Sequence, residues 1–390
     1  MPSLQLASQV SVIVPTHSRA AMLGECLDAL LTQSIHALEI IVVDDASTDD
    51  TPAVVARYGN AVRYVRLDNQ SGKSAAVNLV LDQVRGEFVW IFDDDDVASP
   101  TAIERLSAPL IADPLLAFSF GSFIEGVSSP DGTLKSRGIH SVMPNLSDRG
   151  LLAPLLEVNF LGGARMLFRT QALRAIGGFN REYLRSQDYD VAIRMVRHGQ
   201  GGIAPGGPLY IYRLHESVRH SADRVTTIAQ LESRWLEYDR RIIGALLATM
   251  PLPELLPVRE NPQAAQRGLL LQRAGIYASK LMFDEMLQDF AAIEALADES
   301  ELTRLERAQV ERLFYFTPMY GVGDLLDVDS VVRELRRLGA QSPAIRQILG
   351  HAARTAPGRA LTTMLKHRQP RRSYRILRTA FAFGSLGAPK

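Results

Sequence analysis

Residues 88–92 (FVWIF) are five apolar side chains in a row, and Asp93, Asp94, Asp95 and Asp96 follow without a gap. An unbroken apolar run of this length reads as a strand covered on both faces, as in a mainly parallel sheet flanked by helices. The four carboxylates then fall at the carboxyl end of a core strand, the edge where open α/β sheets collect ligands. Ser99-Pro100 behind them offers a helix cap and a favoured first helical residue. Acidic runs are most often solvated loops, but one fused to a fully apolar strand is hard to place as a solvated face. Four adjacent like charges repel unless a cation sits among them. Oxygen ligands favour a hard divalent ion, Mg²⁺ or Mn²⁺. Asp96 is the member expected to act only as a turn or cap residue.

The preceding segments repeat the alternation. Residues 10–14 (VSVIV) read as a buried strand that ends in Pro15-Thr16-His17. Ser18 is placed to cap a helix whose apolar stripe is Leu23, Cys26, Leu27, Leu30 and Leu31. Residues 38–43 form the next strand, ending in Asp44-Asp45, and residues 62–67 a third. The polar turn 69–73, which ends on Lys73, leads into a helix. This order predicts a mainly parallel sheet with right-handed crossovers. Its first, second and fourth strands each end in polar or acidic residues, so one sheet edge becomes a polar site.

Further along, residues 117–124 and 164–168 read as strands, and 151–158 as a helix. Ser186 is placed to cap a helix over 187–198, and 209–213 reads as a strand followed shortly by His215. Beyond about residue 225 strand signals vanish. Helical spacing recurs at about 228–246, 263–297, 301–316, 329–338 and 342–353. The expected organisation is an α/β domain over residues 1–222 and an all-helical domain with a basic tail over 223–390.

The net charge is zero but unevenly spread: residues 335–390 hold twelve Lys and Arg and no Asp or Glu. Those bases stand beside Tyr374, Ile376, Leu377, Phe381 and Phe383, a pattern suited to an anionic membrane surface. No recognised nucleic-acid module accompanies it, so nucleic acid is not an expected partner. One cysteine, Cys26, excludes an intrachain disulfide and fits a reducing compartment. There is no signal-peptide pattern at the N-terminus, and no apolar run approaches the roughly 20 residues of a bilayer span. The expectation is a cytoplasmic protein, peripheral on the inner face of the cell membrane.

Four stretches, in order and at characteristic spacing, make residues 10–220 resemble the family 2 glycosyltransferases, with their glycosyltransferase A-type fold. They are VSVIVPTHSR at 10–19, LEIIVVDDASTDDT at 38–51, GEFVWIFDDDD at 86–96, and GGFN followed by SQDYDVAIRMVRHG up to 199. The helical remainder is not covered. The resemblance implies a metal-assisted, inverting transfer from a nucleoside-diphosphate sugar, UDP-linked, to a glycan or lipid-linked acceptor, as in bacterial cell-envelope polysaccharide synthesis. It implies that Pro15, Thr16, His17 and Arg19 lie against the nucleotide, that Asp45 recognises the base with Asp44 beside it, and that Lys73 approaches the phosphates. Asp93–Asp95 match the family's Asp-x-Asp motif. Asp93 and Asp95 are the implied metal ligands, with His215 joining them, and Asp94 contacts the ribose or the metal shell. Asp188 matches the catalytic base. Asp190, about 200° further round the same helix, should point away from it.

The match departs from the family pattern at Gln187, where Glu is usual, at Val77, where Arg is common, and at His17, where Tyr is common. These changes bear on donor preference and leave the expected ligands and base in place. Two other classes stay open on the residues alone. One is sugar-phosphate nucleotidyl transfer, whose early glycine-rich basic loop does not appear near Val14. The other is a non-catalytic nucleotide-sugar-binding or scaffold protein.

Overall fold

The structure is a computed structural model that describes residues 9–128, 134–141, 143, 150–214, 228–255, 266–315, 328–367 and 370–385. The first elements are β1 (Val10–Thr16), α1 (Ala20–Leu31), β2 (Glu39–Asp44), α2 (Thr51–Ala56), β3 (Arg63–Arg66), α3 (Lys73–Leu81) and β4 (Phe88–Ile91). Next come β5 (Val97–Ala98), α4 (Ala102–Ala112), β6 (Leu116–Phe120), β7 (Ile124–Ser128), β8 (Leu134–His140), α5 (Leu152–Glu157) and β9 (Met166–Arg169). Then follow α6 (Thr170–Ala175), α7 (Gln187–His198), β10 (Gln200–Ile203), β11 (Tyr210–Leu214) and α8 (Ile228–Thr249). The remaining helices are α9 (Gln266–Ser279), α10 (Phe283–Ala295), α11 (Arg304–Tyr315), α12 (Asp329–Gln341), α13 (Pro343–His367) and α14 (Pro370–Gly384).

The chain divides into two compact units. One comprises Met1–Pro144 and Asn159–Tyr238, the other Asn145–Val158 and Asp239–Lys390. The first is built on a seven-stranded sheet in the order β10-β6-β9-β4-β1-β2-β3. β1, β2, β3 and β4 are mutually parallel, as are β6 and β10, and only β9 runs against its neighbours β4 and β6. The register sets Thr16 opposite Asp44, while the Phe92 amide donates to the Ile13 carbonyl, so β1, β2 and β4 end together. The apolar run is fully buried, with Trp90 at 0% exposure and its indole N–H on the Ala164 carbonyl at 2.8 Å. Cys26 is buried on the core side of α1.

A smaller four-stranded sheet, β5-β11-β7-β8, lies beyond the aspartate run. Here the structure departs from the sequence reading. The strand expected over 117–124 breaks into β6 and β7, which belong to different sheets. Ser99 caps no helix: its hydroxyl donates to the Pro208 carbonyl at 2.9 Å, and α4 starts at Ala102. Ser18 and Ser186 also make no side-chain cap. Both take left-handed backbone angles, φ 51° and 52°, as the chain turns into α1 and α7. β10 (QGGI) has almost no strand propensity of its own and forms because β6 offers it an edge.

The second unit is helical. Its interior holds buried ion pairs, Lys280–Asp239 at 3.0 Å and Arg267–Glu306 at 2.7 Å, together with Arg273–Asp289 at 2.5 Å. The helix expected over 342–353 runs on to His367, and α14 follows it.

Candidate active site

The four aspartates sit where β4 ends, and each has a protein partner. Lys73, the first residue of α3, pairs with Asp93. Arg19, just before α1, puts one guanidinium nitrogen 2.8 Å from Asp94 and 2.6 Å from Asp95. The Thr16 hydroxyl donates to Asp94 at 2.6 Å. Asp96, expected only to shape a turn, accepts the Arg213 amide of β11 at 2.9 Å. The repulsion among the aspartates is therefore offset by cations of the chain itself, Arg19 and Lys73, and does not by itself require a metal ion.

The electrostatics follow from burial. Desolvation raises Asp94 above the ordinary carboxylate range, opposed by Arg19 and reinforced by Asp95. Arg19 and Lys73 are both pulled down by burial, but the carboxylates more than offset it and both lie above their ordinary values. For Lys73 the contributing charges are Asp93, Asp188 and Asp95, in that order. The ammonium thus stands in the field of both the aspartate loop and the residue expected to be the base.

The neighbouring strand ends fix the rest. Pro15 pairs with Val43 in the β1–β2 register. His17 Nδ1–H donates to the Asp45 carbonyl at 2.6 Å. The Asp45 carboxylate accepts the amides of Ser71 and Gly72 at 2.6 and 2.8 Å, and so anchors the turn that launches Lys73. Asp44 is fully buried and accepts the Ser47 amide at 2.8 Å, Arg66 at 3.0 Å and the Tyr64 hydroxyl. Its carboxylate ties β2 to β3 and is occupied by those donors.

Asp188 lies in the first turn of α7, where the helix dipole favours a carboxylate. Its Oδ2 accepts the Gly163 amide at 2.6 Å. A Cβ on Gly162 would lie 2.6 Å from that oxygen and 2.5 Å from Asn159 Nδ2. Gly163 has φ +73°, which glycine adopts without strain. The glycine pair therefore serves the close approach of Asp188. Asp190 is buried and pairs with Arg194 at 2.5 Å.

Arg213 was not singled out from the sequence. It is buried, and its Nε donates to the Asp95 carbonyl at 2.7 Å, its Nη1 to Ser128 at 2.6 Å and its Nη2 to Glu25. With the Asp96 contact it ties the aspartate loop to β7 and α1. An arginine in an amphipathic strand carries no local signal of this role. His215 itself lies outside the described residues.

Among the described residues no group of three or more His, Cys, Asp or Glu side chains is arranged to hold a metal ion. Asp93 and Asp95 nonetheless fit a hard cation in donor type, since both offer only carboxylate oxygen at a strand end. Among the described residues no helix is long and apolar enough to cross a membrane.

Residues 11–177 match the model of the family described as Glycosyl transferase family 2. The match covers 167 of the 390 residues and lies within the α/β part of the chain. An uncharacterized glycosyltransferase of Rickettsia felis is 29% identical over 191 residues, 48% of this chain and 31% of that protein. The chondroitin synthase of Pasteurella multocida is 27% identical over 193 residues, 49% of this chain and 19% of that protein. The chain thus spans less than a third of the length of these two relatives. Residues 1–349 of S. aureus TarS, solved in complex with UDP-GlcNAc, share the fold at a TM-score of 0.50 and 17% identity, covering 95% of this chain and 91% of that one.

Proposed function

We propose that the chain is an inverting glycosyltransferase that moves a sugar from a nucleoside-diphosphate donor, UDP-linked, to a hydroxyl of a glycan or lipid-linked acceptor. The observation that carries this reading is that Asp188, held by the Gly163 amide just ahead of β9, and the aspartate loop after β4 stand at the same end of the antiparallel β4–β9 pair, with Lys73 paired to Asp93. A donor diphosphate and an acceptor hydroxyl would meet at that end.

In this reading Pro15, Thr16 and His17 line the base, Asp45 holds the turn that flanks it, and Asp94 with Arg19 faces the ribose and phosphates. Asp93 and Asp95 would hold a divalent ion, Mn²⁺ or Mg²⁺, which supplies Lewis-acid neutralisation of the leaving diphosphate. Asp188 accepts the proton of the attacking hydroxyl. One base and one in-line displacement invert the anomeric centre. The catalytic part is the α/β unit of Met1–Pro144 and Asn159–Tyr238, and the enzyme works in the cytoplasm.

The test is a panel of nucleotide sugars with Mn²⁺, scored by free nucleoside diphosphate and by the anomeric configuration of the product. The panel begins with UDP-GlcNAc, the ligand of the TarS complex. Release of nucleoside diphosphate with inversion is expected. Pyrophosphate exchange would instead identify a nucleotidyltransferase, and silence across the panel would leave a binding protein.

A further inference from the structure

We infer that the outer face of the α13–α14 helix pair docks on an anionic lipid bilayer. Six of the twelve large apolar side chains that stand exposed among the described residues lie on these two helices. On α14, Tyr374 is 68% exposed, Leu377 45% and Phe381 83%. They recur at spacings of three and four, so they form one stripe along the helix. The opposite face, with Ile376, Ala380 and Phe383, is buried, and the Phe383 ring stacks edge-on against Phe314 at 5.4 Å. The stripe is therefore surplus to the core. At the end of α13, Leu361, Met364 and Leu365 are likewise exposed. An open groove of about 710 Å³ runs between the two helices, with Arg346 and Arg354 on one side and Leu377 and Phe381 on the other.

Charge selects the occupant. The segment from residue 335 onward carries twelve bases and no acid. A second copy of this chain would bring the same charge against itself across a symmetric interface. A polyphosphate would use the bases but gain nothing from Tyr374, Leu377 and Phe381. An anionic bilayer uses both: the apolar stripe enters the headgroup boundary while Arg371 and Arg375, which flank Tyr374, face phosphates.

The experiment is flotation of the full chain with vesicles of phosphatidylcholine alone or with phosphatidylglycerol, at low and high salt. Binding is expected only with phosphatidylglycerol, and salt should weaken it. The variant Tyr374→Ser/Leu377→Ser/Phe381→Ser should lose vesicle binding by about tenfold or more, with its melting transition unchanged because all three side chains are exposed. Arg371→Gln/Arg375→Gln provides an independent arm and should weaken binding and flatten the salt dependence. The inference is overturned if the chain does not float. It is equally overturned if the serine variant floats as well as the parent, or if the parent is a dimer in solution that the serine variant dissolves. Tight binding to single-stranded RNA that the serine variant retains would point to a polyanion instead. None of these readouts depends on sugar transfer, so the result stands apart from the proposed activity.

Discussion

The Gly163 amide donates to Asp188 Oδ2 at 2.6 Å, and a Cβ on the adjacent Gly162 would lie equally close to that oxygen. The carboxylate is thus held by backbone over a site that tolerates no side chain. Asp188→Asn keeps the shape but loses the charge that accepts a proton. General base catalysis is worth about 10²–10⁴ in rate, so kcat should fall by that much while donor affinity, measured by calorimetry, stays near its starting value. Gly162→Ala should also lower kcat, because Asp188 and Asn159 must both shift. Turnover close to the parent's in Asp188→Asn would remove it as the base.

Asp190 separates chemistry from stability. It pairs with Arg194, whose Nη1 also holds the Ile176 carbonyl at 2.7 Å. Asp190→Asn should leave kcat within a few-fold of the parent but cost about 1–3 kcal/mol of stability, the usual price of breaking a buried charge-assisted hydrogen bond. Thermal melts beside kinetics check this. A large fall in kcat with an unchanged melt would mean that Asp190 acts in the reaction.

Asp95 tests the cation. Turnover should require Mg²⁺ or Mn²⁺ and stop in excess chelator. Asp95→Asn leaves Arg19 its partner Asp94 at 2.8 Å, so the fold should persist. Turnover should fall by about 10²-fold or more as charge neutralisation at the diphosphate is lost. Mn²⁺ should raise the melting temperature of the parent and not that of the variant. Full activity in chelator would exclude a metal role for Asp93 and Asp95.

The strand ends were legible because they rest on local patterns: apolar runs for β1, β2 and β4, and the polar residues that stop them. Lys73 was legible as the end of a polar turn ahead of a helix. The partners were not. Arg19 and Arg213 come from sequence positions far from the aspartates, and only the sheet order brings them there. Asp44 and Asp45 read as equivalent neighbours in sequence. The pleat separates them: Asp44 turns inward to Tyr64 and Arg66, while Asp45 turns to the Ser71–Gly72 turn. β5, with two residues, and β10, with two glycines, carry too little β preference to be seen without their neighbours.

Glu39 sets how the α/β unit responds to acid. At the start of β2 it accepts the Ser11 hydroxyl at 2.7 Å, the Arg85 amide at 2.8 Å and Arg85 Nε at 3.1 Å, which joins β1, β2 and the turn before β4. Burial pushes the carboxyl up, but the Arg85 amide, the Ser11 hydroxyl and the Arg85 guanidinium more than offset it, so it lies below its ordinary value of 4.5. The fold therefore favours the ionised form. The stabilisation is fully present above about pH 4.5 and is lost as pH falls through the lower, folded value. Glu39→Gln should be less stable than the parent by about 1–2 kcal/mol at pH 7, and the gap should narrow steadily below pH 4.5. Urea unfolding followed by tryptophan fluorescence at pH 7, 5, 4 and 3 measures this, since Trp90 and Trp235 both lie in that unit. A gap that stays constant or widens toward acid would show that Glu39 is not ionised in the folded chain.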